Sequence, residues 1–124
     1  MIRNINIQGE VLKLKHRIKE DTCILDIEGH LIEKYSLQLR LYTIELINSH
    51  PSHTFIINLE KTVRLDSAGL EQFVLLYKHA KEKQIDLAIC HCNELINGVL
   101  KATRMDEIIP VYVTEKDALA SFQN

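Results

Sequence analysis

Apolar and polar residues alternate from Val11 to Ile18, with Leu12, Leu14 and Ile18 on one side and Lys13, Lys15 and Arg17 on the other, the period of a half-buried strand. A charged, turn-like stretch, Lys19 to Thr22, separates this run from a second one. There Cys23, Leu25 and Ile27 oppose Asp26 and Glu28 up to Gly29, so the two runs predict an antiparallel hairpin, the only one expected. The period then changes. Ser36 can cap a helix carrying Leu37, Leu41 and Ile44 inward and stopping before Pro51. Thr54 to Leu59, with Phe55, Ile56 and Ile57 in succession, reads as a strand buried on both faces.

After a loop through Lys61 and Arg64, a second helix is expected from Asp66 or Ser67, with Leu70, Phe73, Val74 and Tyr77 on its apolar face. Ile85 to Cys90 is again strand-like. Asn93 can cap a third helix with Ile96, Val99, Leu100 and Thr103 inward, which Gly98 weakens by about 1 kcal/mol relative to alanine. Val111 to Val113 is a short last strand, and Thr114 with Asp117 resembles a capping box opening a terminal helix with Ala118 and Phe122. Strands alternating with helices form right-handed parallel crossovers. The expectation is therefore an α/β fold: a mixed, mostly parallel sheet of four to five strands with about four helices on one or both faces.

The length of 124 residues suits one core, so one domain is expected over 1–124, with residues 1–10 as a loosely ordered N-terminal extension. No apolar stretch approaches the roughly 20 residues that cross a bilayer, and the first residues lack an apolar signal segment. Membrane insertion is not expected, and a cytoplasmic location is. Cys23, Cys90 and Cys92 suggest no disulfide framework and read as free thiols. Fifteen basic against seventeen acidic residues, spread without runs, argue against nucleic-acid binding, which needs clustered positive charge.

Candidate chemistry is sparse. Cys90-His91-Cys92 offers soft ligands, but structural zinc sites need four and no second cluster accompanies it, so no metal is expected. His50 and His53 flank a turn. There is no Gly-x-Ser-x-Gly elbow, no phosphate-binding Gly loop and no dinucleotide motif, which speaks against an enzyme and against a cofactor.

The informative stretch is Leu65-Asp66-Ser67-Ala68-Gly69-Leu70, which sets a hydroxyl at a helix N-terminus. Unpartnered backbone N–H groups and a positive dipole end would tolerate a phosphate on Ser67, and Asp66 beside it would keep that phosphate from being neutralised. The same residues serve equally as a plain helix start, with Asp66 and Ser67 capping and Gly69 easing a turn or a close backbone approach.

Across about Val11 to Phe122 the chain resembles the STAS domain family, in its antagonist type. The resemblance rests on Asp26-Ile27-Glu28-Gly29-His30-Leu31, on Ile56-Ile57-Asn58-Leu59, and above all on Asp66-Ser67-x-Gly69-Leu70. It implies a STAS-like fold and a non-enzymatic anti-sigma factor antagonist whose phosphoacceptor is Ser67. Partner binding would fall to Asp66, Ser67, Ala68, Gly69, Leu70 and Glu33, the last standing one place beyond the family's usual acidic position. The implied partners are an anti-sigma factor that is also a serine kinase, bound when Ser67 is unphosphorylated, and a serine phosphatase that resets the cycle. Homodimers occur in such a family. The alternatives are an adaptor docked on a transporter ATPase and a small-ligand sensor, both independent of phosphorylation.

Overall fold

The expected hairpin forms between Glu10–Lys19 (β2) and Thr22–Leu31 (β3), antiparallel with Leu14 opposite Ile27. Its turn narrows to Glu20 and Asp21, both in the left-handed region at φ 52° and 66°, the conformation a two-residue turn needs to match strand twist. The computed structural model describes residues 2–7, 10–50 and 52–123, with side chains from Leu12 onward.

Ile2–Ile7 (β1) pairs antiparallel with β2, Ile5 opposite Leu12, making a second hairpin where an N-terminal extension was expected. Met1, Gln8 and Gly9 of that stretch lie outside the described residues. Thr54–Asn58 (β4) joins β3 in parallel, Asp86–Cys90 (β6) joins β4, and Val111–Tyr112 (β7) joins β6. Thr62–Leu65 (β5), within the expected loop, runs parallel to the end of β3 beyond a bulge at Gly29 and His30. Among the described residues the sheet has seven strands, two more than the upper expectation, and the additions are β1 and β5.

Helices Ser36–Ser49 (α1), Ser67–Glu82 (α2) and Glu94–Ala102 (α3) contribute to the main core on one face of the sheet, with Phe55, Ile57, Leu59, Leu87 and Ile89 from the strands. Glu115–Ser121 (α4) packs on the other face through Ala118 and Leu119 against Ile24, Ile56, Ala88 and Cys90. Asn93 and Thr114 cap as expected, accepting from Ile96 N–H at 2.8 Å and Asp117 N–H at 3.1 Å.

The inward face of α1 differs from the expectation. Leu37 and Leu41 are 57% and 55% exposed, and the buried stripe is Leu39, Tyr42, Thr43, Leu46 and Ile47. Both stripes are apolar at helical spacing. The second carries more large side chains, each worth about 2 kcal/mol when buried, and so decides the rotation. Tyr35 rather than Ser36 is the cap residue, and the Ser36 hydroxyl donates to the Glu33 carbonyl at 3.0 Å. On α2 the buried face centres on Gly69, Gln72, Phe73, Leu76 and Ala80, leaving Leu70, Val74 and Tyr77 half-buried. Cys90 and Cys92 do not share a face. β6 ends at Cys90, His91 adopts φ 59°, and Cys92 turns to the main core while Cys90 stays under α4. Burial pushes the three thiols up, to about 12 at Cys23 and Cys90 and about 11 at Cys92, so they remain protonated.

α4 is fastened by an ionic cluster. Arg17 donates two hydrogen bonds to Asp26, at 2.7 and 2.9 Å, and both its terminal nitrogens donate to Glu115. Asn58 donates to Glu115 Oε1 at 2.9 Å, and the Glu115 N–H donates to His91 Nε2 at 2.9 Å. The Arg17 hydrogen bond leads in holding the Glu115 carboxyl below its ordinary value of 4.5, against the opposing effect of burial and with help from Asn58. A lowered folded value means the stabilisation is fully present above 4.5 and is lost as pH falls through the folded value. Glu115→Gln is therefore expected to lower the melting temperature near pH 7 by a few degrees, about 1 kcal/mol, and to converge on the parent in acid. Thermal melts across pH 3 to 7 check this.

Candidate functional site

The site is built where β3, β5 and α2 meet. Gly29, at φ 108°, donates its N–H to the Lys61 carbonyl at 3.0 Å, and this close turn brings β5 beside the end of β3. The chain leaves β5 at Leu65, and the Asp66 N–H donates to the Leu31 carbonyl at 3.1 Å. Asp66 is extended, at φ −101° and ψ −177°, and caps α2: Oδ1 accepts from Gly69 N–H at 2.9 Å. Its other oxygen, Oδ2, accepts from Glu33 N–H at 3.1 Å. One carboxylate thus ties the start of α2 to the 3-10 turn Glu33–Tyr35 that precedes α1.

Gly69 is the contact point of the helix with β3. A Cβ there would stand 2.4 Å from the Leu31 carbonyl oxygen and 2.8 Å from Leu65 Cδ1. The close backbone approach expected at this glycine comes from the chain's own strand. Leu70 is half-buried against the main core, and Ala68 is half-buried on the first turn.

Ser67, by contrast, is exposed at the first position of α2, and its hydroxyl has no hydrogen-bond partner among the described residues. Asp66 has taken the capping work, which leaves the serine oxygen without a structural task. Arg64 shortly before it, Glu71 one helical turn further along, and Glu33 on the bridged turn all have exposed side chains. A phosphate on Ser67 would meet the positive end of a 16-residue helix and the N–H groups of its first turn, together with the like charge of Asp66 and Glu71.

The structure therefore brings all six expected partner-binding residues to one corner, Glu33 through its backbone as well as its exposed side chain. Asn93, expected only as a helix cap, also donates through Nδ2 to the carbonyls of Thr62 and Val63 at 3.1 and 3.3 Å and so pins α3 to β5. Its capping signal was visible, but its second task was not. Among the described residues no group of three or more His, Cys, Asp and Glu side chains is placed to hold a metal ion. No helix among them is long and apolar enough to cross a membrane.

Residues 13–118 match the family model described as the STAS domain. The anti-sigma F factor antagonist of Paenibacillus polymyxa is 25% identical over 112 residues, spanning 90% of this chain and 96% of that protein. An anti-sigma factor antagonist from Mycobacterium paratuberculosis has a crystal structure that superposes with a TM-score of 0.81 at 17% identity, over 91% of this chain and 95% of that one. The Bacillus cell fate determinant SpoIIAA in its phosphorylated form superposes with a TM-score of 0.66 at 16% identity, over 90% and 99%.

Proposed function

We propose that this chain, which belongs to the STAS domain family, works as an anti-sigma factor antagonist: a partner switch whose state is written on Ser67. The observation that carries the reading is the division of labour at the start of α2, where Asp66 and Gly69 are held by the fold and Ser67 is exposed with its hydroxyl unengaged. Similarity to antagonists supports it, as does the likeness to SpoIIAA, itself named an anti-sigma factor antagonist and solved in a phosphorylated form.

In the unphosphorylated state the corner formed by Glu33 and Asp66 to Leu70 docks on an anti-sigma factor that is also a serine kinase. The kinase carries ATP to the exposed hydroxyl. The Ser67 oxygen attacks the γ-phosphorus, the bond to the ADP oxygen breaks, and the serine proton passes to a base of the kinase. The new group carries about −1.5 to −2 charges and would have to be stripped of water under a packed partner, which drives release. A phosphatase returns the hydroxyl by transferring the phosphoryl group to water.

Phosphopeptide mass spectrometry of the chain from its native cells is expected to find phosphate on Ser67 and to lose it in Ser67→Ala. In pull-downs from the same cells Ser67→Ala should hold its kinase partner, while Ser67→Glu weakens it by about tenfold or more. No phosphate in growth or stress, with both variants bound equally, would overturn the reading in favour of an adaptor that docks without phosphorylation.

A further inference from the structure

We infer that Asp66 is a positioning residue that couples Ser67 to the Glu33–Tyr35 turn, and that a phosphate on Ser67 breaks this coupling and releases the turn's leading edge. This rests on the proposed switch and adds a change of shape to the change of charge.

The carboxylate of Asp66 bridges two backbone N–H groups, Gly69 with one oxygen and Glu33 with the other. Ser67 lies next in the chain, between the carboxylate and the helix turn it caps. A phosphate there competes for the same first-turn N–H groups and repels the adjacent carboxylate from well within a Debye length. Displaced from Gly69, the carboxylate can no longer reach Glu33 in its present geometry. The helix loses nothing by the exchange, because the phosphate supplies the cap. The turn does lose, since the Glu33 N–H has Asp66 as its partner.

The extent of the release is limited by the rest of the turn. Tyr35 is fully buried, its N–H donates to the Ile32 carbonyl at 2.9 Å, and the Ser36 hydroxyl holds the Glu33 carbonyl. Movement is thus confined to the backbone around the Glu33 N–H. A partner that reads the turn and the helix start together meets two pieces no longer in register after phosphorylation.

The test is amide hydrogen exchange by NMR on the full chain, with phosphoserine installed at position 67 during synthesis so that no kinase is required. Exchange at the Glu33 N–H is expected to rise about tenfold on phosphorylation, as for loss of one charge-assisted hydrogen bond, while the Ile96 N–H, capped by Asn93, stays unchanged. In Asp66→Asn, whose single acceptor oxygen can serve only one of the two N–H groups, Glu33 should exchange fast already and phosphate should add nothing. Glu33→Pro, which deletes the donor at the first position of a turn where proline fits, should leave α2 protected. Unchanged Glu33 exchange in the phosphorylated parent would overturn the inference, as would an equal phosphate-induced rise in Asp66→Asn. Absence of phosphate on Ser67 in cells is read separately and bears on the switch itself.

Discussion

Gly69→Ala is expected to destabilise the chain by about 3 kcal/mol, although helix propensity alone would favour alanine by about 1 kcal/mol. The reversal comes from contact: the new methyl would meet the Leu31 carbonyl oxygen at 2.4 Å and Leu65 Cδ1 at 2.8 Å, and a strand carbonyl in the sheet cannot swing aside as a flexible side chain can. α2 must lift from β3, stretching the Asp66 to Glu33 bridge with it. Gly98 provides the contrast. A Cβ there meets nothing within 4 Å, so Gly98→Ala on the exposed side of α3 should stabilise by up to about 1 kcal/mol. Denaturant unfolding of the two variants should move the midpoints in opposite directions with unchanged slope.

The second large effect is expected at Asn58, which is buried and uses both ends of its amide. Its Nδ2 donates to Glu115, and its Oδ1 accepts from the Glu60 N–H at 2.9 Å. Asn58→Asp keeps the shape and the acceptor but turns the donor into a third carboxylate beside Asp26 and Glu115, which already share Arg17. The cost near neutral pH is expected to be about 3 kcal/mol, the scale of an uncompensated buried charge. Its sign with pH is opposite to that of Glu115 in the parent. Crowding by like charge raises the introduced carboxyl's folded pKa, so the variant regains stability as pH falls and loses it as pH rises through that value. Melts at pH 5 and pH 7 separate this from a merely local packing loss, which would show no such recovery.

Much of the site was legible because its chemistry is local. A carboxylate, a hydroxyl and a glycine in the order Asp66, Ser67, Ala68, Gly69 constrain one another within a single helical turn, and spacing is enough to read a cap. The hydrogen bond from Glu33 was not legible, since any residue but proline supplies a backbone N–H and no side-chain pattern marks which one is used. Nor was the rotation of α1. Leu37, Leu41 and Ile44 fit the helical period as well as Leu39, Tyr42 and Leu46 do, and only the shape of the sheet beneath distinguishes them. The left-handed turn at His91 breaks the strand alternation that would otherwise put Cys90 and Cys92 on one face, and nothing in the residue types marks it. β5 escaped notice because four residues beside the end of another strand carry too little period to detect.

The cluster that fastens α4 also orders events in time. Arg17 and Glu115 are separated by 98 positions, so the loop their contact closes spans most of the chain, and such a closure offers little to an early folding nucleus. The sheet is complete once Tyr112 pairs with Cys90, before Glu115 is needed. Until α4 arrives, Ile24, Ile56, Ala88 and Cys90 form an uncovered apolar face on an otherwise finished sheet. α4 is thus a seal rather than a frame, and a chain in which it has not docked presents that apolar face to its neighbours.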